Sequence, residues 1–202
     1  MTDALYILKN RVMPWGDYGD ILLSGMTAFP ARDAQGRLLI QRTGPFVPPL
    51  VLLPLNEIVI TQTLRAALEA SGLSGVTFRP VVKARIVDLP WHTWDWGAAQ
   101  PAEYPDSGEP EDYILAWPHD QVMADQMELL WEVCLEEHAR TDRVHVGPGR
   151  WDEDIWLVRA SWDGTDWFKA AGVGHVYVSE QARRWLEHMV AGWVVLEPAR
   201  VR

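Results

Sequence analysis

Short apolar runs at Leu5 to Lys9 and Ile21 to Met26 predict two strands, separated by a Pro14-Trp15-Gly16 turn. A third is expected at Arg37 to Gln41, after the turn-forming Asp33 to Gly36 segment, and the proline-rich Pro45 to Pro54 stretch reads as an extended connection. A clearer unit follows. Glu57 to Ile60 is a β-branched run and Thr61 a good N-cap. Leu64, Ala67, Leu68 and Ser71 fall on one helical face, Gly72 or Gly75 is the stop, and Val76 to Val87 is a long exit strand.

The same order returns near the C-terminus. His175 to Val178 is the strand and Ser179 the cap. Ala182, Trp185, Leu186 and Met189 form the stripe, Gly192 the stop, and Trp193 to Leu196 the exit strand. Thr61 aligns with Ser179, Arg65 with Arg183, Leu68 with Leu186, Glu69 with Glu187, Gly75 with Gly192 after one deletion, and Pro80 and Pro198 close the two units. The match fits either an internal duplication or the chance recurrence of a common building block.

Between the copies, Asp88 to Asp112 is a long loop rich in Trp, Pro and Gly. Tyr113 to Trp117 is expected as a strand and His119 to His138 as a helix. Met123, Met127, Leu130 and Cys134 form its stripe, widened by Val122, Leu129 and Val133. Asp125, Glu128, Glu132 and Glu136 would then face solvent. Strands at Arg143 to Val146 and Ile155 to Ala160 flank a Gly147-Pro148-Gly149 turn. These elements predict a single α+β domain over residues 1–202, with a mixed or mainly antiparallel sheet and a few packed helices.

Composition adds little to this until charge is mapped along the chain. Apolar content of 48% and charged content of 23% are ordinary, whereas twelve tryptophans are not. Between Arg85 and Arg140 there is no lysine or arginine, and the 54 residues from Ile86 to Ala139 carry thirteen carboxylates. The remaining chain has 15 acids against 18 bases, so the net charge of −10 arises in this window, which also holds Trp91, Trp94, Trp96, Trp117 and Trp131. Such a field repels nucleic acid and anionic membrane and draws cationic partners. Acid-rich loops also serve solubility alone. The start of the chain lacks the pattern of a signal peptide, and the longest apolar stretch, Phe46 to Leu55, is interrupted by prolines and too short to span a bilayer. The expected location is the cytoplasm.

Candidate chemistry is sparse. Neither a phosphate-binding glycine loop nor a Gly-x-Ser-x-Gly elbow occurs. His119 with Asp120, and His138 with Glu136 and Glu137, are the close His/carboxylate groupings. Neither has the spacing of a helical zinc site, and the lone Cys134 falls on an apolar stripe. No catalytic, cofactor or metal residue is assigned. Glu109 with Glu111 and Asp112, and Asp152-Glu153-Asp154 between Trp151 and Trp156, have the residue types a glycosidase needs, but no spacing selects that reading. In Trp91-His92-Thr93-Trp94-Asp95-Trp96, an extended backbone would place Trp94 and Trp96 on one face, either as pins holding the loop to the core or as aromatic anchors ringed by acids.

Leu73-Ser74-Gly75-Val76-Thr77-Phe78-Arg79-Pro80-Val81, preceded by Ile60-Thr61 and a short helix, resembles a closing motif of bacterial immunity proteins encoded beside polymorphic toxins. In that motif a strand ending in Val-Ser or Ile-Thr leads into an Arg-x-x-Leu-Glu helix and then Gly-Phe/Val-x-Phe-x-Pro. Asp166-Trp167-Phe168, leading through His175 to Ser179 into the last helix, is similar to the same arrangement. The resemblance covers about residues 56 to 85 and 154 to 198. It implies a protein that works by binding and carries no catalytic residues. Its partner would be a cognate toxin domain, expected to be basic, whose active site it occludes. The residues expected at that contact are Trp91, Trp94, Asp95, Trp96, Glu103, Asp106, Glu109, Glu111 and Asp112. The rival readings are an interaction module with no toxin partner and a carbohydrate-active hydrolase.

Overall fold

The structure, a computed structural model, describes residues 4–25, 31–147 and 153–202. In chain order the strands are β1 (Leu5–Asn10), β2 (Ala31–Arg32), β3 (Leu38–Gly44), β4 (Leu50–Leu52), β5 (Ile58–Thr61), β6 (Thr77–Pro80) and β7 (Val82–Asp88). They continue with β8 (Leu130–Cys134), β9 (Glu137–His145), β10 (Glu153–Leu157), β11 (Trp167–Ala171), β12 (Val176–Ser179) and β13 (Val194–Pro198). The helices are α1 (Asp17–Ser24), α2 (Gln62–Ser71), α3 (Asp112–Leu115), α4 (Gln121–Gln126) and α5 (Glu180–Met189). The strands form three sheets with orders β10-β9-β11-β12-β1-β13, β2-β3-β7 and β4-β5-β8-β6. β3 and β7 pair parallel, as do β9 and β11, whereas β1 runs antiparallel to both β12 and β13. The fold is α+β with mixed and antiparallel sheets, the class the sequence predicts.

Packing divides the chain into two compact units. One comprises Met1–Asn10, Ala67–Thr77 and Cys134–Arg202, the other Arg11–Ala66 and Phe78–Val133. In the first, Leu5, Ala139, Leu157, Phe168, Ala170 and Tyr177 form a core cluster, with the Phe168 and Tyr177 rings stacked at 5.5 Å. Helix α5 begins where Ser179 Oγ accepts from Ala182 N at 3.2 Å, satisfying one orphan donor of its first turn. Ala182 and Leu186, four residues apart, are fully buried. Trp185 is half-buried against Trp167, with ring centroids 6.5 Å apart.

The two repeated sequence segments take the same topology. β12-α5-β13 straddles the antiparallel β1, and β5-α2-β6 straddles β8, which is antiparallel to β5. Thr61 Oγ1 caps α2 by accepting from Leu64 N at 3.3 Å, and Gly72 (φ +74) follows its last residue. The two segments of the resemblance also meet. Asp166 Oδ2 accepts from Ser74 N and Oγ, both at 2.9 Å, its Oδ1 accepts from Ser179 Oγ at 2.6 Å, and Trp167 N donates to Ser74 O at 3.1 Å. One carboxylate therefore ties the loop after α2 to the cap of α5.

Two carboxyls of this unit are held well below their ordinary range. Glu180, at the start of α5, is lowered to about 2 by hydrogen bonds from Arg183, the Tyr6 hydroxyl and Arg184. Asp163 is lowered to about 2 by the Thr165 hydroxyl and backbone N–H and by His138. A depressed carboxyl contributes stability above its unfolded value, near ~4, and that contribution is lost as pH falls through the folded value. Urea titrations at stepped pH should thus show wild-type stability falling between about pH 4 and pH 2 more steeply than that of an Asp163→Asn/Glu180→Gln double variant. Parallel pH profiles would show that neither group is linked to folding.

In the second unit Leu38, Ile40, Val51, Leu53, Val59 and Leu130 make one core cluster, and Ile86, Ala124 and Met127 another. Several expected elements are corrected here. Ile21 to Ser24 closes helix α1 instead of forming a strand (Met26 lies outside the described residues). Asp17 and Asp20 occupy the helix's first turn, and left-handed Gly25 donates its N–H to Ile21 O at 2.6 Å. The Pro45 to Pro54 stretch contains the wholly buried β4. The long strand expected from Val76 to Val87 breaks at Val81 into β6 and β7, which belong to different sheets. The expected strand at Tyr113 to Trp117 is instead the short helix α3 and its exit.

The long helix expected over His119 to His138 is a six-residue helix followed by strands β8 and β9. Asp120 Oδ1 caps α4 through Met123 N at 2.9 Å, and the helix ends at Met127, whose backbone is extended. Met127 and Leu130 are buried as expected, but Val122 and Leu129 are exposed and Glu132 is buried. Trp151, Asp152 and the Pro148-Gly149 part of the expected turn lie outside the described residues.

Candidate functional site

The loop between β7 and α3 is packed, and its tryptophans explain how. Trp91 is 0% exposed, edge-on to Phe46 at 5.5 Å and stacked on Trp96 at 6.1 Å, while His92 stacks on Phe46 at 4.4 Å. Trp91 is therefore a core residue with no surface to offer a partner, which corrects its expected place at the contact. Trp94 and Trp96 are half-buried and have separate neighbours. Trp94 lies 6.2 Å from Trp15 and 6.5 Å from Tyr113, whereas the Arg11 guanidinium sits 4.8 Å over the Trp96 ring. The run is not one extended segment: Trp91–Thr93 is a 3-10 turn, and Ala98 N donates to Asp95 O at 3.1 Å, closing a second turn that includes Trp96. Trp15 Nε1 donates to Ala98 O at 3.0 Å and the Tyr18 hydroxyl to Gly108 O at 2.5 Å, fixing the rest of the loop.

The acids divide into groups. Asp95 is exposed and accepts from Gly97 N at 2.9 Å. Glu109 and Glu111 converge with Asp17 and Asp20 around a shallow hollow of about 220 Å³, and burial followed by the charge of Asp17 raises the Asp20 carboxyl above its ordinary value. Glu103, Asp106 and Asp112 belong to a larger feature. Two hollows of about 540 and 640 Å³ share Glu103, Tyr113 and Trp117. Asp88 and Asp120 line the first, Tyr104, Asp106 and Asp112 the second. Trp117 is 61% exposed and Tyr104 50%, and Leu115 and Val122 are also exposed, so apolar surface concentrates around this groove.

Strand β7 holds the groove's far side in place. Arg85 Nη1 donates to Leu115 O at 3.0 Å and Trp117 O at 2.9 Å, and Lys83 Nζ donates to Ala124 O at 2.5 Å and Met127 O at 2.8 Å. Two alternate side chains of one strand thus satisfy the carbonyl ends of α3 and α4. His119 Nδ1 accepts from Ile86 N at 2.9 Å, and Nε2 faces Gln121 Oε1 at 3.1 Å, so the ring is fixed on the same strand.

Not all thirteen carboxylates of the window are free for a partner. Glu132 pairs with Arg32, and Glu128 accepts from Thr63 N and Oγ1. No lysine or arginine among the described residues pairs with Glu103, Asp106 or Asp112. Elsewhere, Glu153 and Asp154 of the other acidic run pair with Arg143 and Arg200.

Chemically, the groove offers unpaired carboxylates beside exposed aromatic faces, a combination suited to holding cations. Tyr104, Tyr113 and Trp117 are site residues that the sequence reading does not single out. The Trp117-Pro118 step, where a proline stops a helix and leaves an indole past its end, was the available signal. No helix among the described residues is long and apolar enough to cross a membrane. Compared with known proteins, the chain matches no family model, and no curated protein or solved structure is significantly similar to it.

Proposed function

We propose that this protein is a cytoplasmic immunity protein that binds a cognate bacterial toxin domain and neutralises it by occluding its active site. The observation that carries the reading is the acidic aromatic face around Glu103, Asp106, Asp112, Tyr104 and Trp117, whose carboxylates lack cationic partners among the described residues. The resemblance of residues 56 to 85 and 154 to 198 to immunity proteins supports it by a separate route. Toxins that attack nucleic acid need basic surfaces to hold phosphate, and a carboxylate-rich inhibitor competes for that surface while gaining association rate by steering. Of the expected contact residues, Asp95, Glu103, Asp106, Glu109, Glu111 and Asp112 remain in the interface, with Trp94 and Trp96 contributing their exposed edges.

The test pairs this chain with the C-terminal domain of a large secretion-associated protein, should a neighbouring gene encode one. Co-expression should restore growth to cells making that domain. Neutralising Glu103, Asp106, Glu109 and Glu111 together should slow association about tenfold or more at low salt and flatten its salt dependence. An unchanged salt slope with full protection would leave the acidic face a solubility device.

A further inference from the structure

The groove's floor contains a group that the fold leaves unused. Tyr113 is 6% exposed and lines both hollows, and its hydroxyl has no hydrogen-bond partner among the described residues. A buried hydroxyl without a partner is costly, and native structures rarely keep one without a use. Burial first, and then the negative charge of Glu103, push the Tyr113 phenol well above its ordinary range, so it stays protonated. Around it stand Trp117 and Tyr104, largely exposed, and the carboxylates Glu103, Asp106 and Asp112.

Resting on the immunity reading, we propose that this groove is the socket for an arginine side chain projecting from the partner's basic surface. A guanidinium fits each feature of the wall. Its planar face stacks on an indole or phenol ring, its fork pairs with a carboxylate, and its remaining N–H groups supply donors for an unpartnered oxygen such as Tyr113 Oη. Lysine offers a compact, strongly hydrated charge without the planar fork that stacks on a ring and pairs bidentately with a carboxylate. Trp117, 61% exposed beyond the end of α3, can turn its ring onto an incoming guanidinium at little cost. The anchor of the interface is then Tyr104, Tyr113 and Trp117, with Trp94 and Trp96 as supports of the loop.

The experiment titrates the intact protein with N-acetyl-arginine methylamide, with its lysine counterpart, and with the neutral citrulline analogue, following the Trp117 indole and Tyr113 ring by NMR. Arginine should give saturable shifts at these residues, at least several-fold tighter than lysine, and citrulline none. Tyr113→Phe, which removes one oxygen from a buried ring and should fold, is expected to weaken arginine binding about fivefold, and Trp117→Ala at least tenfold. Equal responses to all three probes, or full arginine affinity in Tyr113→Phe, would overturn the socket. The parent reading fails separately. If the arginine probe binds as stated but the neighbouring toxin domain is not neutralised, the socket stands and the immunity role falls. If the toxin is neutralised with equal affinity by wild type, Tyr113→Phe and Trp117→Ala, the immunity role stands and the socket falls.

Discussion

Gly75→Ala is expected to destabilise the protein by roughly 2 to 6 kcal/mol, whereas Gly192→Ala, at the matching place after the second helix, should cost only about 1 to 3. Both glycines have left-handed backbones, with φ of +89 and +83. An L side chain is strained at either, by about 1 to 3 kcal/mol. Space separates them. A Cβ on Gly75 would lie 2.2 Å from Trp167 O and 2.3 Å from Thr165 Cγ2, while one on Gly192 meets nothing within 4 Å. The Thr165 methyl can turn aside, but Trp167 O belongs to β11, whose Trp167 side chain is fully buried. Overpacking against fixed backbone adds about 1 to 3 kcal/mol or more. Gly72→Ala, another open left-handed position, serves as a second control. Equal losses for Gly75 and Gly192 would mean that the close approach to Trp167 is not part of the folded state in solution.

That glycine also marks what could be read from the sequence. The segments around α2 and α5 were legible because their signals are local. A β-branched run, a hydroxyl cap, a stripe at helical spacing and a glycine stop all lie within twenty-five residues. The segment from His119 to His138 was misread because Met123, Met127, Leu130 and Cys134 happen to keep helical spacing across a short helix, an extended turn and a strand. No proline or glycine marks the break at Met127. The α1 region did contain its signals, acids at Asp17 and Asp20 and the stop at Gly25, but the apolar run Ile21 to Leu23 reads equally as a strand.

Of the site, the acid density was legible and its division was not. Which carboxylates stay unpaired depends on partners far away in sequence, as Arg32 for Glu132 shows. Trp91 and Trp117 are indistinguishable as letters, yet Phe46 covers one and the end of a four-residue helix leaves the other in solvent.

The second large effect concerns that distant pair and is asymmetric. Glu132 is 6% exposed and receives both terminal nitrogens of Arg32, Nη1 to Oε2 at 2.9 Å and Nη2 to Oε1 at 2.7 Å. Arg79 Nη1 stands 3.6 Å from Oε2. The arginine side chains are 36% and 43% exposed, so the carboxylate alone is cut off from water. Arg32→Ala leaves a buried charge with one long-range partner and should cost about 3 to 5 kcal/mol. Glu132→Met removes the buried charge and keeps side-chain volume, and both arginines can turn toward solvent. Its cost should fall to about 1 kcal/mol or less, because replacing a buried charge by packed apolar atoms is often near neutral. The double variant should then resemble Glu132→Met alone, giving a coupling energy of about 3 to 5 kcal/mol in magnitude, the whole cost of Arg32→Ala, in the cycle. Urea unfolding of the four proteins measures all terms. Additive losses, or a Glu132→Met variant weaker than Arg32→Ala, would show that the strand β8 needs the carboxylate itself and not merely its neutralisation.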